Sequence, residues 1–482
     1  MKKNLYWIAL AAFIIPILAR GLMFYRGFPN QRKIATPDYQ AFISSQPPIG
    51  DIAVNTNIEQ TNGIILFDLV HANQYQPADV KSLQEAIEKR GGKVENISDA
   101  TSLEYKLKYA STLTVISPST AFSADEIRII KAFVQRGGRL LVFTDATHGL
   151  VYTDFFSGST ISYPDTNLVN PLLTAFDISV NNDYLYNIEE HEGNFRNIFF
   201  ESFENNDLTL NLKRVVLYGT HSIESPSGQV LLRGTEATLS SSNDAHDPAS
   251  GGAVLSEDGN VLVFGDFTFL SSPYQNVLDN STLIANIADF TLGGKQNKLL
   301  ENFPFLFTQS VLQVYPAPEV QLTAEIISAI GGLQTALKVS EIEIRIATKT
   351  PRDGDVLVLG TFADAEELAS YINPFNISLD ESGDTITLKN FGDIGRAGNG
   401  ILLFEENKNG NRLTLLAETP EDLIALLSTV SSGSLYGCIL QDNIGICSVG
   451  YGGSFFDETG GFGEDILTPE PATGDATPTP AG

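Results

Sequence analysis

Apolar and polar residues follow two rhythms along this chain. Between residues 61 and 149, β-branched runs (GIILFDLVHAN, TLTVISPST, RLLVFTDATHG) alternate with stretches of helical spacing. In PADVKSLQEAIEKRGG, Val80, Leu83 and Ile87 share one helical face, with Pro77 at the entry and Gly91-Gly92 at the exit. KVENI follows as a strand. SADEIRIIKAFVQRGG repeats the device: Ser123 and Glu126 stand at capping-box spacing, and Ile127, Ile130, Phe133 and Val134 form the apolar stripe before another Gly-Gly. Strands apolar nearly throughout, alternating with helices, predict a parallel sheet covered on both faces. The expected fold is therefore α/β, a doubly wound, flavodoxin-like domain over residues 61–295.

Residues 150–255 are looser and rich in Asn, Asp, Ser and aromatics, and read as an insertion with short strands such as KRVVLYG and QVLLRG. NVLVFGDFTFLSS then supplies another buried strand. YQNVLDNSTLIANIADFTLGG predicts a closing helix with Leu283, Ile287 and Phe290 inward. Residues 296–318 read as a connector. A second, mixed α/β domain is expected over 319–456, with helices in VQLTAEIISAIGGLQTAL, ADAEELASYI and PEDLIALLSTVSSG and strands in SEIEIRIAT and GDVLVLGT. Two hairpin-like pairs belong to it, and NKNGN in the second is a strong Asn-Gly turn signal. The tail, 457–482, is Thr/Pro-rich without apolar period and should be disordered.

The N-terminus changes the picture. Lys2 and Lys3 precede sixteen uncharged residues, Asn4 to Ala19, before Arg20. Sixteen helical residues cover only about 24 Å of a roughly 30 Å hydrocarbon core, but Arg20 can snorkel while Leu22 to Tyr25 complete the span. Residues 1–33 are thus expected to be a signal anchor holding the chain to the cytoplasmic membrane, followed by a tether over 34–60; a cleaved signal peptide is the alternative. The basic residues flank both sides of the apolar run, so charge alone does not orient it. Against thirty Lys and Arg stand fifty-eight Asp and Glu, a net charge of −28 that argues against nucleic-acid partners. Only Cys438 and Cys447 occur, on facing strands of one predicted hairpin, YGCILQDNIGICSVG. They read as a disulfide of an oxidising compartment, with two buried thiols as the alternative.

In open α/β sheets ligands lie off the strand carboxyl ends. Asp68, His71, Ser117, Asp145, Thr147, His148 and Asp266 fall there and are the candidate ligand-binding residues. The five histidines show no HxxxH or HxH pairing, the chain has no GxGxxG or P-loop, and no metal or cofactor is expected. At Gly360-Thr361 the residue pattern suits simple helix capping better than an anion site.

GIILFDLVHAN, AFVQRGGRLLVFTD and VLVFGDFTFLSS, with the membrane segment, resemble the class I glutamine-amidotransferase-like domains over residues 61–295. The likeness is closest to the non-catalytic branch associated with gliding-motility auxiliary proteins and ABC-transport-linked membrane proteins. Active members carry a nucleophilic cysteine at the turn after the corresponding strand, with a downstream histidine as base. Here that turn is Thr144-Asp145-Ala146-Thr147, without cysteine. Asp145 is no substitute for a thiolate, and Thr147 with His148 is not expected to form a dyad because neighbouring turn residues point apart. VLVLGTFADAEELASYI and GILLFEENKNGNRLTLLAETPEDLIALL faintly resemble α/β modules of cellulose synthase regulatory subunits. These likenesses imply a membrane-anchored, extracytoplasmic binding or assembly protein with a catalytically inactive domain, partnered by a transport or envelope protein. Two alternatives stay open: an extracytoplasmic hydrolase using Asp68, Asp145 and His148, and a purely structural surface protein.

Overall fold

The computed structural model describes residues 2–26, 63–153, 160–379, 384–388, 391–432, 435 and 437–450. The chain divides into two compact units, 1–51 and 52–482. In the first, α1 (Lys2–Arg26) is a continuous helix that runs through Arg20 and Gly21. Within it Asn4–Phe24 has mean hydropathy 2.0, long and apolar enough to cross a membrane, since 21 residues rise about 32 Å. Leu5, Trp7, Phe13 and Leu22 are all exposed along it, as lipid-facing side chains would be. The expected tether and Thr/Pro-rich tail lie outside the described residues.

The second unit holds two lobes. In the first lobe, β1 (Ile64–Asp68), α2 (Lys81–Glu88), β2 (Lys93–Ile97), α3 (Leu103–Leu107), β3 (Thr112–Ile116), α4 (Ala124–Gln135) and β4 (Arg139–Phe143) follow the predicted alternation. The capping box forms as expected: the Ser123 side chain accepts from the Glu126 amide, and Glu126 reaches back to the Ser123 amide. After α5 (Thr166–Leu173) come β5 (Ser202–Phe203), β6 (Gln229–Arg233), β7 (Ala253–Leu255), β8 (Val261–Phe264) and α6 (Asn280–Leu292). One eight-stranded sheet results, ordered β5-β6-β7-β8-β4-β3-β1-β2.

The sheet is mixed, which corrects the expectation of parallel strands throughout. The β2-β1-β3-β4-β8 portion is parallel. β5, β6 and β7, from the stretch read as an insertion, extend it antiparallel. The physical reason is connection length: only Ser256 to Asn260 separate β7 from β8, enough for a hairpin and too few for a crossover. Helices cover both faces. Ile65, Phe67, Leu141 and Phe143 face α2 and α6, whereas Leu66, Val115, Leu140 and Val142 face α3, α4 and α5.

The second lobe has its own core and a seven-stranded mixed sheet. Its strands are β9 (Val311–Pro316), β10 (Glu343–Ile346), β11 (Asp355–Thr361), β12 (Asn399–Glu405), β13 (Arg412–Ala417), β14 (Cys438–Gln441) and β15 (Ile444–Ser448). They are ordered β10-β9-β11-β13-β12-β15-β14. Part of the stretch read as a connector is therefore β9, whose alternating VLQVYP pairs with β10 on one side and β11 on the other. The helix expected in ADAEELASYI shrinks to α8 (Ala369–Ile372), while α7 (Ala324–Leu337) and α9 (Pro420–Ser431) match their patterns. Thr361 and Asp364 cap the short turn after β11, as the sequence suggests. Cys438 and Cys447 face each other in register and are bonded, S–S 2.02 Å.

The Asn-Gly turn joins β12 to β13 as predicted. Gly410 there has φ +132°, and a Cβ on it would lie 2.2 Å from the Gly354 backbone. Substituting Gly410→Ala should therefore lower the unfolding free energy by roughly 1–3 kcal/mol, measured by urea titration.

Candidate functional site

Parallel strands deliver their last side chains to one edge, and here that edge collects carboxylates. Asp68 ends β1, Asp145 follows β4 and Asp266 follows β8; each is buried. A buried carboxylate must be met by donors or give up its charge. The structure answers in three linked clusters.

In the first, Asp68 Oδ2 sits 2.9 Å from His71 Nδ1 and accepts from Asn73 at 2.8 Å. The other ring nitrogen of His71 lies 3.5 Å from Glu126 Oε1, and the ring stacks on Phe122 at 3.7 Å. Burial works against the His71 imidazolium, but the Asp68 hydrogen bond and charge outweigh it and raise its pKa. Asn73 passes the connection on, since its Oδ1 accepts the Ile116 amide at the end of β3.

The second cluster centres on Asp165, at the start of α5. Its side chain does not cap that helix. Instead Oδ2 accepts from Ser117 Oγ at 2.9 Å and from the Asp145 amide at 3.0 Å, and Oδ1 lies 3.3 Å from His221 Nε2. His221 Nδ1 is 2.6 Å from the Asp183 carbonyl. An acceptor at each ring nitrogen favours the doubly protonated ring. Burial opposes this, and Asp165 overcomes it, so the His221 pKa is raised. Ser117 holds φ +41°, a left-handed conformation secured by backbone bonds from Ser117 N to Phe143 O and from Gln74 N to Ser117 O.

The third cluster contains Asp145, Thr147, His148 and Asp266. Asp145 Oδ1 accepts from the Thr147 amide at 2.7 Å and its hydroxyl at 2.5 Å, while Oδ2 accepts from Thr268 Oγ1 at 2.9 Å. Asp266 accepts the Tyr218 and Thr268 amides at 2.9 and 2.8 Å. Burial, then the neighbouring Asp145 charge, push the Asp266 carboxyl well above its ordinary range. Burial also disfavours ionised Asp145, but hydrogen bonds from His148 and Thr147 hold it below the ordinary range. The two neighbouring carboxyls are thus pushed in opposite directions, Asp145 down and Asp266 up.

One expectation is overturned. Thr147 and His148 do not point apart: Thr147 Oγ1 lies 3.1 Å from His148 Nδ1. Asp145 Oδ2 lies 3.3 Å from the same nitrogen. A relay of acid, base and nucleophile needs the carboxylate on one ring nitrogen and the hydroxyl on the other. Here both stand on Nδ1, whose proton answers the Asp145 charge. That nitrogen has no lone pair with which to take the Thr147 proton, and the hydroxyl proton already points to Asp145.

The structure therefore joins Asp145, Thr147, His148 and Asp266, reaches Ser117 through Asp165, and connects Asp68 with His71 to β3 only through Asn73 and its neighbours. Sequence reasoning missed Asp165, Thr268 and Asp183, and left His221 as a loop histidine. Asp165 lies 48 positions from Ser117 and 56 from His221, so no local spacing could reveal them. Among the described residues no three His, Cys, Asp or Glu side chains are arranged to hold a metal.

Residues 64–192 match the model of a family described as an ABC-type uncharacterized transport system. The match associates this segment with ABC-type transport. It takes in Asp68, His71, Ser117, Asp145, Thr147, His148 and Asp165, while His221 and Asp266 lie beyond it. No curated protein matches the chain. Solved chains similar to it include the mmIFT52 N-terminal domain, at 16% identity and TM-score 0.39 over 48% of this chain and 100% of that one. A ThuA-like protein from Bacteroides uniformis shares 12% identity, with TM-score 0.30 over 51% of this chain and 95% of that one. Another from Parabacteroides merdae shares 8%, with TM-score 0.27 over 50% and 94%.

His148 offers a direct check on the shared nitrogen. The Asp145 hydrogen bond is the first cause raising its pKa above 6.5, and burial acts against it. The stabilisation this gives is complete below the unfolded value and fades as pH rises through the folded one. In Asp145→Asn the His148 pKa should fall, followed by NMR of the imidazole Cε1 proton; an unchanged titration contradicts the assignment.

Proposed function

We propose that this chain is a membrane-anchored, extracytoplasmic binding or assembly component of an ABC-type transport system. Its first lobe, a doubly wound amidotransferase-like domain, recognises a partner or ligand rather than transforming it. The observation that carries the reading is the crowding of Asp145 and Thr147 onto one nitrogen of His148. With the site carboxylates already taken up by neighbouring donors, the strand ends have the stability of a structural hub and lack an activated nucleophile. The transport association of residues 64–192 supplies the context. An apolar helix of spanning length supports the anchor, and the Cys438–Cys447 bond supports exposure to an oxidising compartment.

Crosslinking of the full chain in its native membranes is expected to yield an ATPase or permease subunit. In the same cells, external protease should reach the second lobe once the outer barrier is opened. Should the purified chain turn over an ester, amide or glycoside, with Thr147→Ala or His148→Gln each lowering the rate about 100-fold or more, the hydrolase reading replaces this one.

A further inference from the structure

At the strand-end site Asp145 and Asp266 are buried while Thr147 is exposed; a separate cleft lies elsewhere. Between the lobes lies a cavity of about 470 Å³, within the range that holds small ligands. One wall comes from α3 and α4 and brings Lys108, Arg128 and Arg136; the opposite wall brings Leu300, Phe303 and Leu440. The walls are tied together. Gln296 Nε2 donates to the carbonyls of Leu107 and Ala110 at 2.8 and 2.6 Å, Asn302 to that of Lys108 at 3.3 Å, and the Asn297 amide to that of Arg136 at 2.7 Å.

Two of the cations have donors to spare. The Lys108 ammonium donates to the Phe303 carbonyl at 3.4 Å, and burial pushes its pKa down. Arg136 Nε is buried with no hydrogen-bond partner, and the Glu301 carboxylate stands 3.7 Å from Nη1, beyond hydrogen-bonding range. Glu104 and Glu301 share the lining, and Glu301 is more than half exposed. An ammonium with three donors and a guanidinium with five, both partly buried, have more donors than those acceptors fill. In a chain of net charge −28, a lining with three cations and two carboxylates departs from the prevailing balance.

We propose that this cavity binds an organic anion. Its phosphate or carboxylate head is held by Lys108 and Arg136, whose planar fork suits either group, and its ring-sized apolar body lies against Leu300, Phe303 and Leu440. The assignment is independent of the strand-end cluster and adds a ligand site to the chain.

Calorimetric titration of the detergent-solubilised full chain with 1-naphthyl phosphate, 1-naphthoate and inorganic phosphate tests it. At least one naphthyl anion should bind saturably, one per chain and about tenfold or more tighter than inorganic phosphate. The better of the two identifies the head group. Arg136→Gln and Lys108→Gln should each weaken it about tenfold or more, the loss of a charge-assisted hydrogen bond, while Lys131→Gln, on α4 but outside the cavity, changes it less than about twofold. Where a substitution lowers the melting temperature, the unmodified chain decides, because affinity held by these cations must fall with added salt. No saturable binding, equal binding of inorganic phosphate, salt-independent affinity, or unchanged affinity in both folded variants would overturn the proposal.

Discussion

The structure turns on the cost of removing carboxylates from water. Four aspartates, Asp68, Asp145, Asp165 and Asp266, are buried at the carboxyl edge of the first sheet. An ionised carboxylate in such surroundings is tolerable only when donors surround it. Asp165 is the keystone, because one oxygen serves the turns after both β3 and β4 while the other meets His221. Remove it and Ser117, the Asp145 amide and the imidazolium all lose a partner together. The stretch 150–255 supplies both Asp165 and His221, and the same stretch adds three antiparallel strands. The sheet's extension and the neutralisation of its polar edge therefore have one source.

That arrangement also spends much of the edge's hydrogen-bonding capacity internally. Catalytic carboxylates and histidines keep a lone pair or a proton available to substrate. Here the Thr147 and Thr268 hydroxyls donate to Asp145, His148 Nδ1 lies 3.3 Å from it, and burial raises the Asp266 carboxyl well above its ordinary range. The inter-lobe cleft presents the opposite condition, with cationic donors that outnumber the acceptors set around them.

What the sequence made legible was periodic. The βα alternation, the Ser123–Glu126 box, the Gly410 turn and the facing cysteines all rest on interactions within a few residues or across one hairpin, and local spacing records those. The mixed character of the first sheet and the place of β9 in the second were not legible, because pairing between distant strands leaves no spacing to read. At the site, Asp68, Asp145 and Asp266 were visible as polar residues ending apolar runs. Asp165 was hidden by a role contrary to its position: it stands where a helix cap belongs and bonds elsewhere. The meeting of Thr147 with His148 defied a sound rule about turns because the buried Asp145 draws both side chains to itself.

The bond between Cys438 and Cys447 joins the outermost strand of the second sheet to its neighbour, in the register where the strands enter and leave the hairpin. An edge strand has one partner and tends to fray, and a frayed edge invites pairing with a foreign chain. With its mouth closed covalently, β14 can loosen from β15 without drifting away, and residues beyond 448 can be tugged without peeling the hairpin open from that side. At that rim a covalent link, instead of a ladder of hydrogen bonds alone, holds the two strands together.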